Sequence, residues 1–142
     1  MSTLDNGLAL PVLATLLLTL LVWIYLFIQR ISYSRAHGID IEHFKTPGDT
    51  AALIPGPEST ASNNFKNLLE MPLVFYTICF YLTIFGQVDG FHVACAWVFV
   101  IFRVSHSLVH CTFNRVVLRF IAYMIASIAV WIMVFRAFLS AL

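Results

Sequence analysis

The sequence feature that most constrains the fold is an uncharged, strongly apolar stretch near the start of the chain. From Asn6 to Gln29 there are 24 residues without a charged side chain, and residues 8–28 read LALPVLATLLLTLLVWIYLFI. At about 1.5 Å per residue, a helix of this length crosses the hydrocarbon core of a bilayer. No Lys or Arg precedes the stretch and no small-residue cleavage site follows it, which argues against a signal peptide. We therefore expect a membrane-spanning helix over residues 8–30.

Three further segments of similar character predict an all-α membrane protein. Residues 61–86, 91–110 and 115–141 are mostly apolar, and a tight turn between the first two makes them antiparallel. Only 11% of the 142 residues are charged, against about 25% in ordinary soluble domains. The sequence therefore predicts a single domain, residues 1–142, that folds as a four-transmembrane-helix bundle with a polar loop over residues 32–60. The net charge of +1 gives no reason to expect a nucleic-acid partner.

Basic residues are distributed unevenly along this arrangement. Seven of the eight Lys and Arg residues lie toward the membrane side that carries the long loop, and only Arg136 lies toward the other side. Loops rich in Lys and Arg are usually cytoplasmic. We expect an integral, multi-pass protein whose long loop is cytoplasmic and whose termini lie on the opposite side.

Polar side chains lie within or beside three of the predicted spans, where a charge costs at least about 2.5–3.5 kcal/mol near the bilayer centre. Within each helix their spacing places them on one face. The antiparallel order brings the three sets to the same end of the membrane. In chain order, the sets are Asn63, Asn67 and Glu70; Arg103, His106 and His110, with Ser107 beside them; and Arg115, Arg119 and Tyr123.

Two interpretations of these polar sets are open. In the first, Glu70 neutralises Arg103 or Arg119, and Arg115 extends to water. In the second, which we favour for the group as a whole, the excess of positive side chains over one carboxylate binds an anionic ligand. A guanidinium in a low-dielectric site favours a thiolate over a thiol. For Arg115 alone we favour the first interpretation.

A metal or haem site is a weaker alternative. His106 and His110 have the i, i+4 spacing that can share a metal. Nothing on the same helix completes a metal site, and a bis-histidine haem needs ligands from two helices. We therefore expect no metal. A haem or quinone protein is kept as a third hypothesis, and an absorbance spectrum would decide the haem case.

The order of these motifs resembles the MAPEG family, the membrane-associated proteins in eicosanoid and glutathione metabolism. Asn67-Leu-Leu-Glu70-Met-Pro72 follows the polar loop, and Arg103-Val-Ser-His106-Ser107 follows on the next helix, with Arg115 and Arg119 beyond it. The motifs cover roughly residues 60–125, and the helix layout covers the whole chain. On this resemblance the chain is identified as a bacterial-type member of the family.

The resemblance implies a homotrimer of four-helix subunits, with glutathione as thiol cosubstrate bound between neighbouring subunits near the cytoplasmic end. It implies that Arg119 stabilises the glutathione thiolate, and that a lipid or hydrophobic electrophile enters from the bilayer. The pocket residues assigned on this basis, including neighbours that replace missing family residues, are Asn63, Lys66, Asn67, Glu70, Arg103, His106, Ser107 and Tyr123.

The sequence departs from the family pattern at three positions. Asn63 stands where the family usually has Arg, although Lys66 supplies a cation nearby. His110 stands where a pocket Tyr is common, and Phe120 stands where a prostaglandin-synthesising member has a hydroxyl residue.

Two functions therefore compete. The first is a glutathione-dependent transferase or peroxidase acting on apolar electrophiles or lipid hydroperoxides, in which Arg119 stabilises the thiolate and His110 or a water takes the thiol proton. The alternative is a non-enzymatic lipid-binding or scaffold protein on the same fold, which the departures at Asn63 and Phe120 favour.

Overall fold

The computed structural model describes residues 7–142, apart from the side chains of Pro57 and Glu58, and this part of the chain is helical without any strand. Residues 1–6, with the start of the uncharged stretch and the predicted domain, lie outside the described residues. Short 3₁₀ turns occupy Ile41–His43 and Gly56–Ser59. The α-helices are α1 (Ala9–His37), α2 (Pro47–Leu53), α3 (Thr60–Ile84), α4 (Gly90–Cys111) and α5 (Val116–Ser140).

Four of the five helices are long and apolar enough to cross a bilayer: α1, α3, α4 and α5. Each turns large apolar side chains outward, including Leu13 of α1, Phe80 of α3 and Phe135 of α5. Such side chains are stable against lipid, whereas in water they would form an extended apolar patch. The prediction of an all-α, four-span membrane protein is confirmed, and the chain is an integral, multi-pass membrane protein.

The segment between the first two spans differs from the sequence-based expectation of a polar loop over residues 32–60. α1 continues to His37 instead of ending near residue 30, because no glycine or proline interrupts it before Gly38, whose φ of +63° ends the helix in the left-handed conformation. Part of the remaining segment forms α2. That helix begins at Pro47, and the preceding Thr46 and Asp49 form reciprocal side-chain caps.

The core lies where α3, α4 and α5 meet. Phe75 of α3 stacks on Phe99 of α4 with ring centroids 4.2 Å apart, and both rings are fully buried. Ala96 of α4 and Ala126 of α5 are buried in the same cluster. Small residues let membrane helices approach closely, and α4 and α5 share the most extensive contact in the fold. This packing fixes the relative positions of the polar residues at the ends of α3, α4 and α5.

Candidate functional site

The centre of the polar group is Arg103, whose side chain is 0% exposed. Its Nη2 donates a hydrogen bond of 2.8 Å to the main-chain oxygen of Asn67 on α3. Its Cζ lies 5.6 Å from the ring centroid of Tyr123 on α5. Among the described residues, its Nε and Nη1 have no hydrogen-bond partner. One guanidinium therefore joins three helices and has unused donors inside a membrane-spanning bundle.

Two buried histidines follow Arg103 on the same face of α4. Nδ1 of His106 lies 3.0 Å from the main-chain oxygen of Arg119. Because a carbonyl only accepts, Nδ1 carries the hydrogen and Nε2 of the neutral ring has the lone pair. That Nε2, and Nδ1 of His110, are buried without a partner in the part of the chain that the structure describes. The two ring centroids are 5.5 Å apart, and Tyr123 lies 5.9 Å from His106.

Arg119, in the first turns of α5, is half-buried. Its Nη1 donates to Oδ1 of Asn114 at 2.6 Å. Arg115 is exposed at the N-terminal end of the same helix, as expected for an arginine that extends to water. Arg103, His106, His110, Arg119 and Tyr123 thus lie together at one end of the bundle.

The residues predicted on α3 are placed differently. Asn63, Lys66 and Glu70 are exposed, and Asn67 is half-buried. Among the side chains that the structure describes, no ion pair joins Glu70 to an arginine, and the ion pairs that occur all involve Asp89. In the part of the chain that the structure describes, neither Arg103 nor Arg119 therefore has a carboxylate paired with it.

One buried polar residue on α3 was not singled out from the sequence. Asn64 is 0% exposed. Its Oδ1 accepts from the Ser107 hydroxyl at 3.3 Å, and its Nδ2 lies 3.4 Å from Sγ of Cys111. Ser107 therefore bonds to α3 inside the bundle. The available signal was heptad spacing, since Ala61, Leu68 and Phe75 are buried at seven-residue intervals and Asn64 lies four residues before Leu68 on the same face.

A second polar group lies at the opposite membrane end and was not predicted. The Asp89 carboxylate accepts from the main-chain N–H of His92 at 2.9 Å and caps α4. It also accepts from the Arg136 guanidinium. The hydrogen bond from His92, with the nearby positive charge, lowers the pKa of Asp89 below its ordinary value. This group is locally compensated, in contrast to the group around Arg103.

A surface groove of about 510 Å³ runs between α3 and α5. It is lined almost entirely by apolar side chains, which include the aromatic rings of Trp131 and Phe138. Thr77 and Tyr81 are the lining residues that carry a hydroxyl group. Its volume is in the range of small-molecule sites. No cluster of three or more metal-ligating side chains occurs among the described residues.

Comparison with known proteins gives one match. The family model described as the MAPEG family matches residues 8–139, which is nearly the whole chain. No curated protein and no solved structure matched.

Proposed function

The chain belongs to the MAPEG family, and on that premise we propose that it is a glutathione-dependent transferase or peroxidase acting on apolar electrophiles or lipid hydroperoxides. Family membership supports a glutathione-related membrane function in general. The specific reaction and the roles of individual residues are our proposal. The observation that carries it is the positive charge of buried Arg103 and half-buried Arg119, which no carboxylate among the described side chains pairs with.

Burying a charge is costly unless an opposite charge or hydrogen bonds compensate it. Arg103 uses one of its donors and leaves two buried nitrogen atoms without partners among the described residues. An anionic ligand with several carboxylates supplies the missing charge and acceptors. Glutathione carries two carboxylates and an ionisable thiol, so its chemistry fits this donor set.

Arg119 is the candidate for thiolate stabilisation because it is half-buried at the edge of the polar group. A positive charge close to a thiol lowers the pKa of that thiol and raises the thiolate fraction at neutral pH. The thiolate supplies the nucleophile that displaces a leaving group from an electrophile. His110 is the proposed proton acceptor, with His106 held beside it in a fixed tautomer by the Arg119 carbonyl.

The exposed polar residues of α3 fit an assembly in which a neighbouring subunit covers them. Asn63, Lys66 and Glu70 lie on the surface of a single chain, inside a segment long and apolar enough to span the membrane. We propose a homotrimer in which these side chains and Asn67 complete the glutathione pocket from an adjacent subunit. The long loop between α1 and α3 would lie on the cytoplasmic side, with the termini opposite.

The second candidate is a non-enzymatic lipid-binding or scaffold protein, and the groove between α3 and α5 favours it. That groove is large, apolar and open to the bilayer-facing surface. Phe120 beside Arg119 is exposed and offers no hydroxyl for a thiol. In this case the protein binds an apolar molecule without turnover.

The test is turnover by the purified full-length protein in detergent, with glutathione and either a chloronitrobenzene or a lipid hydroperoxide. We expect activity, and we expect Arg119→Ala to lower kcat by about 10²–10³-fold, as for loss of other preorganised electrostatic stabilisers. Arg115→Ala is the matched control, since it removes the same charge from an exposed position four residues away. Absence of turnover with both substrate classes, or equal loss in both variants, would contradict the enzymatic proposal.

A further inference from the structure

The turn between α4 and α5 contains a residue that no motif singled out and that contacts the proposed catalytic arginine. We propose that Asn114 is a positioning residue, which holds the Arg119 guanidinium in place without neutralising its charge. The inference rests on the proposed function, because a fixed Arg119 matters for catalysis only if it faces a thiolate.

The backbone of the turn fixes where the Asn114 side chain lies. Asn114 has a φ of +46°, a left-handed conformation that most residues avoid and that Asn adopts more readily than others. Its N–H donates to the carbonyl of Val109 at 2.7 Å, which closes the end of α4. In this conformation its Oδ1 lies 2.6 Å from Nη1 of Arg119, five residues later.

Arg119 is anchored at a second point. His106 of α4 donates to the main-chain carbonyl of Arg119 at 3.0 Å. The main chain of Arg119 is thus tied to α4, and its guanidinium is tied to the turn. The first anchor fixes the position of the backbone from which the side chain extends, and the second restricts the side-chain rotamers. Electrostatic catalysis requires a charged group that is oriented before the reaction.

The chemical type of the acceptor is as informative as its position. An amide oxygen accepts a hydrogen bond from a guanidinium but carries no charge. A carboxylate at the same place would hold Arg119 equally well and cancel its positive field at the site. A neutral acceptor therefore orients the guanidinium and leaves its charge available to an anionic ligand.

The first experiment needs no ligand. The rate at which phenylglyoxal modifies Arg119 is measured by peptide mass spectrometry in the intact protein, with exposed Arg115 as internal reference. Asn114→Gly keeps the left-handed turn accessible and removes the amide. We expect faster modification of Arg119 in this variant and an unchanged rate at Arg115. An unchanged rate at Arg119 would overturn the anchoring, whatever glutathione does.

The second experiment measures the pKa of the thiol of protein-bound glutathione, from the ultraviolet absorbance of the thiolate. Asn114→Asp should raise this pKa by about one pH unit or more, because its carboxylate offsets the guanidinium. Asn114→Gly should lower the thiolate fraction by about two- to tenfold, the equivalent of one hydrogen bond. Thr112→Ala in the same turn is the control, since Thr112 is exposed and, among the described residues, its hydroxyl bonds to the Leu108 carbonyl alone.

The outcomes separate the two proposals. A wild-type protein that forms no thiolate contradicts the proposed function, and the phenylglyoxal rates then decide the anchoring by themselves. A wild-type protein that forms a thiolate, with Asn114→Gly indistinguishable from Thr112→Ala, contradicts only the positioning role. If the thiol pKa shifts in Asn114→Asp and does not shift in Asn114→Gly, the positioning role is also contradicted. Such a result shows that an added charge affects the thiol and that loss of the amide does not.

Discussion

Replacement of Arg103 by methionine gives the most informative prediction about the buried charge. Arg103→Met keeps an unbranched, flexible side chain, shorter than that of arginine, and removes the guanidinium. We expect the ligand-free protein to tolerate this change in its fully buried interior, and we expect glutathione binding to be lost.

The magnitude follows from the contacts of Arg103. The variant loses one hydrogen bond from a charged donor, of about 1.5–3 kcal/mol, and a cation–π contact with Tyr123, of about 0.5–1 kcal/mol. The variant no longer places a charge in a membrane-spanning helix, which removes a cost of about 2.5–3.5 kcal/mol. These contributions nearly cancel, so the free energy of unfolding should change by no more than about 1–2 kcal/mol.

The assay is thermal unfolding in detergent, with and without glutathione. Saturating ligand at about 100 times Kd should stabilise the wild-type protein by about 2.7 kcal/mol and should not stabilise Arg103→Met. Phe99→Ala is the comparison for an uncompensated core change, with an expected loss of about 3–5 kcal/mol. If Arg103→Met loses as much stability as Phe99→Ala without ligand, Arg103 is compensated inside the chain and the reasoning fails. It also fails if glutathione stabilises the variant normally.

Two further predictions concern Asp89, which caps α4, and the buried pair formed by Asn64 and Ser107. Because the folded-state pKa of Asp89 is lowered, its stabilising contribution is present above the unfolded pKa and is lost as the pH falls through the folded pKa. Asp89→Asn keeps a capping side chain and removes the charge. In thermal unfolding measured from neutral to acidic pH, this variant should be less stable than the wild type near neutrality and equally stable at low pH. A stability difference that does not depend on pH would contradict this. Asn64→Ala should lower stability by about 1–3 kcal/mol because the buried Ser107 hydroxyl loses its acceptor, and the Asn64→Ala/Ser107→Ala double variant should recover part of the loss; additive losses would contradict the proposed pairing.

The sequence predicts the four spans well because the bilayer demands long uncharged helices, and such runs are directly visible. It also predicts that Arg103, His106 and His110 share a face, since helical spacing fixes that relation. The structure adds that this face of α4 is buried against its neighbours.

Which face of α3 lies inside is harder to predict. Lipid-facing and buried residues of a membrane helix are similarly apolar, so hydrophobicity does not distinguish them. Asn63, Asn64 and Asn67 are equally polar, yet only Asn64 is fully buried. The extension of α1 to His37 follows from the position of Gly38, and the formation of α2 follows from the Thr46–Asp49 cap. Both signals are visible in the sequence, but the charged composition of the segment favoured the prediction of a loop.

The contact between Asn114 and Arg119 could not be predicted from spacing. The two residues are five apart across a turn, and their contact depends on the left-handed conformation of Asn114. An Asn before a helix usually indicates a cap or a turn. Only the three-dimensional arrangement shows that its amide oxygen accepts from an arginine of the proposed site.

Calorimetric titration of the purified full-length protein with glutathione tests the central claim most directly. We predict binding with a Kd between about 1 μM and 1 mM, in the usual range for enzyme substrates, weakened in Arg119→Ala and unchanged in Arg115→Ala. Absence of binding up to about 10 mM, well above that range, would contradict the claim that the positive group formed by Arg103 and Arg119 is a glutathione site.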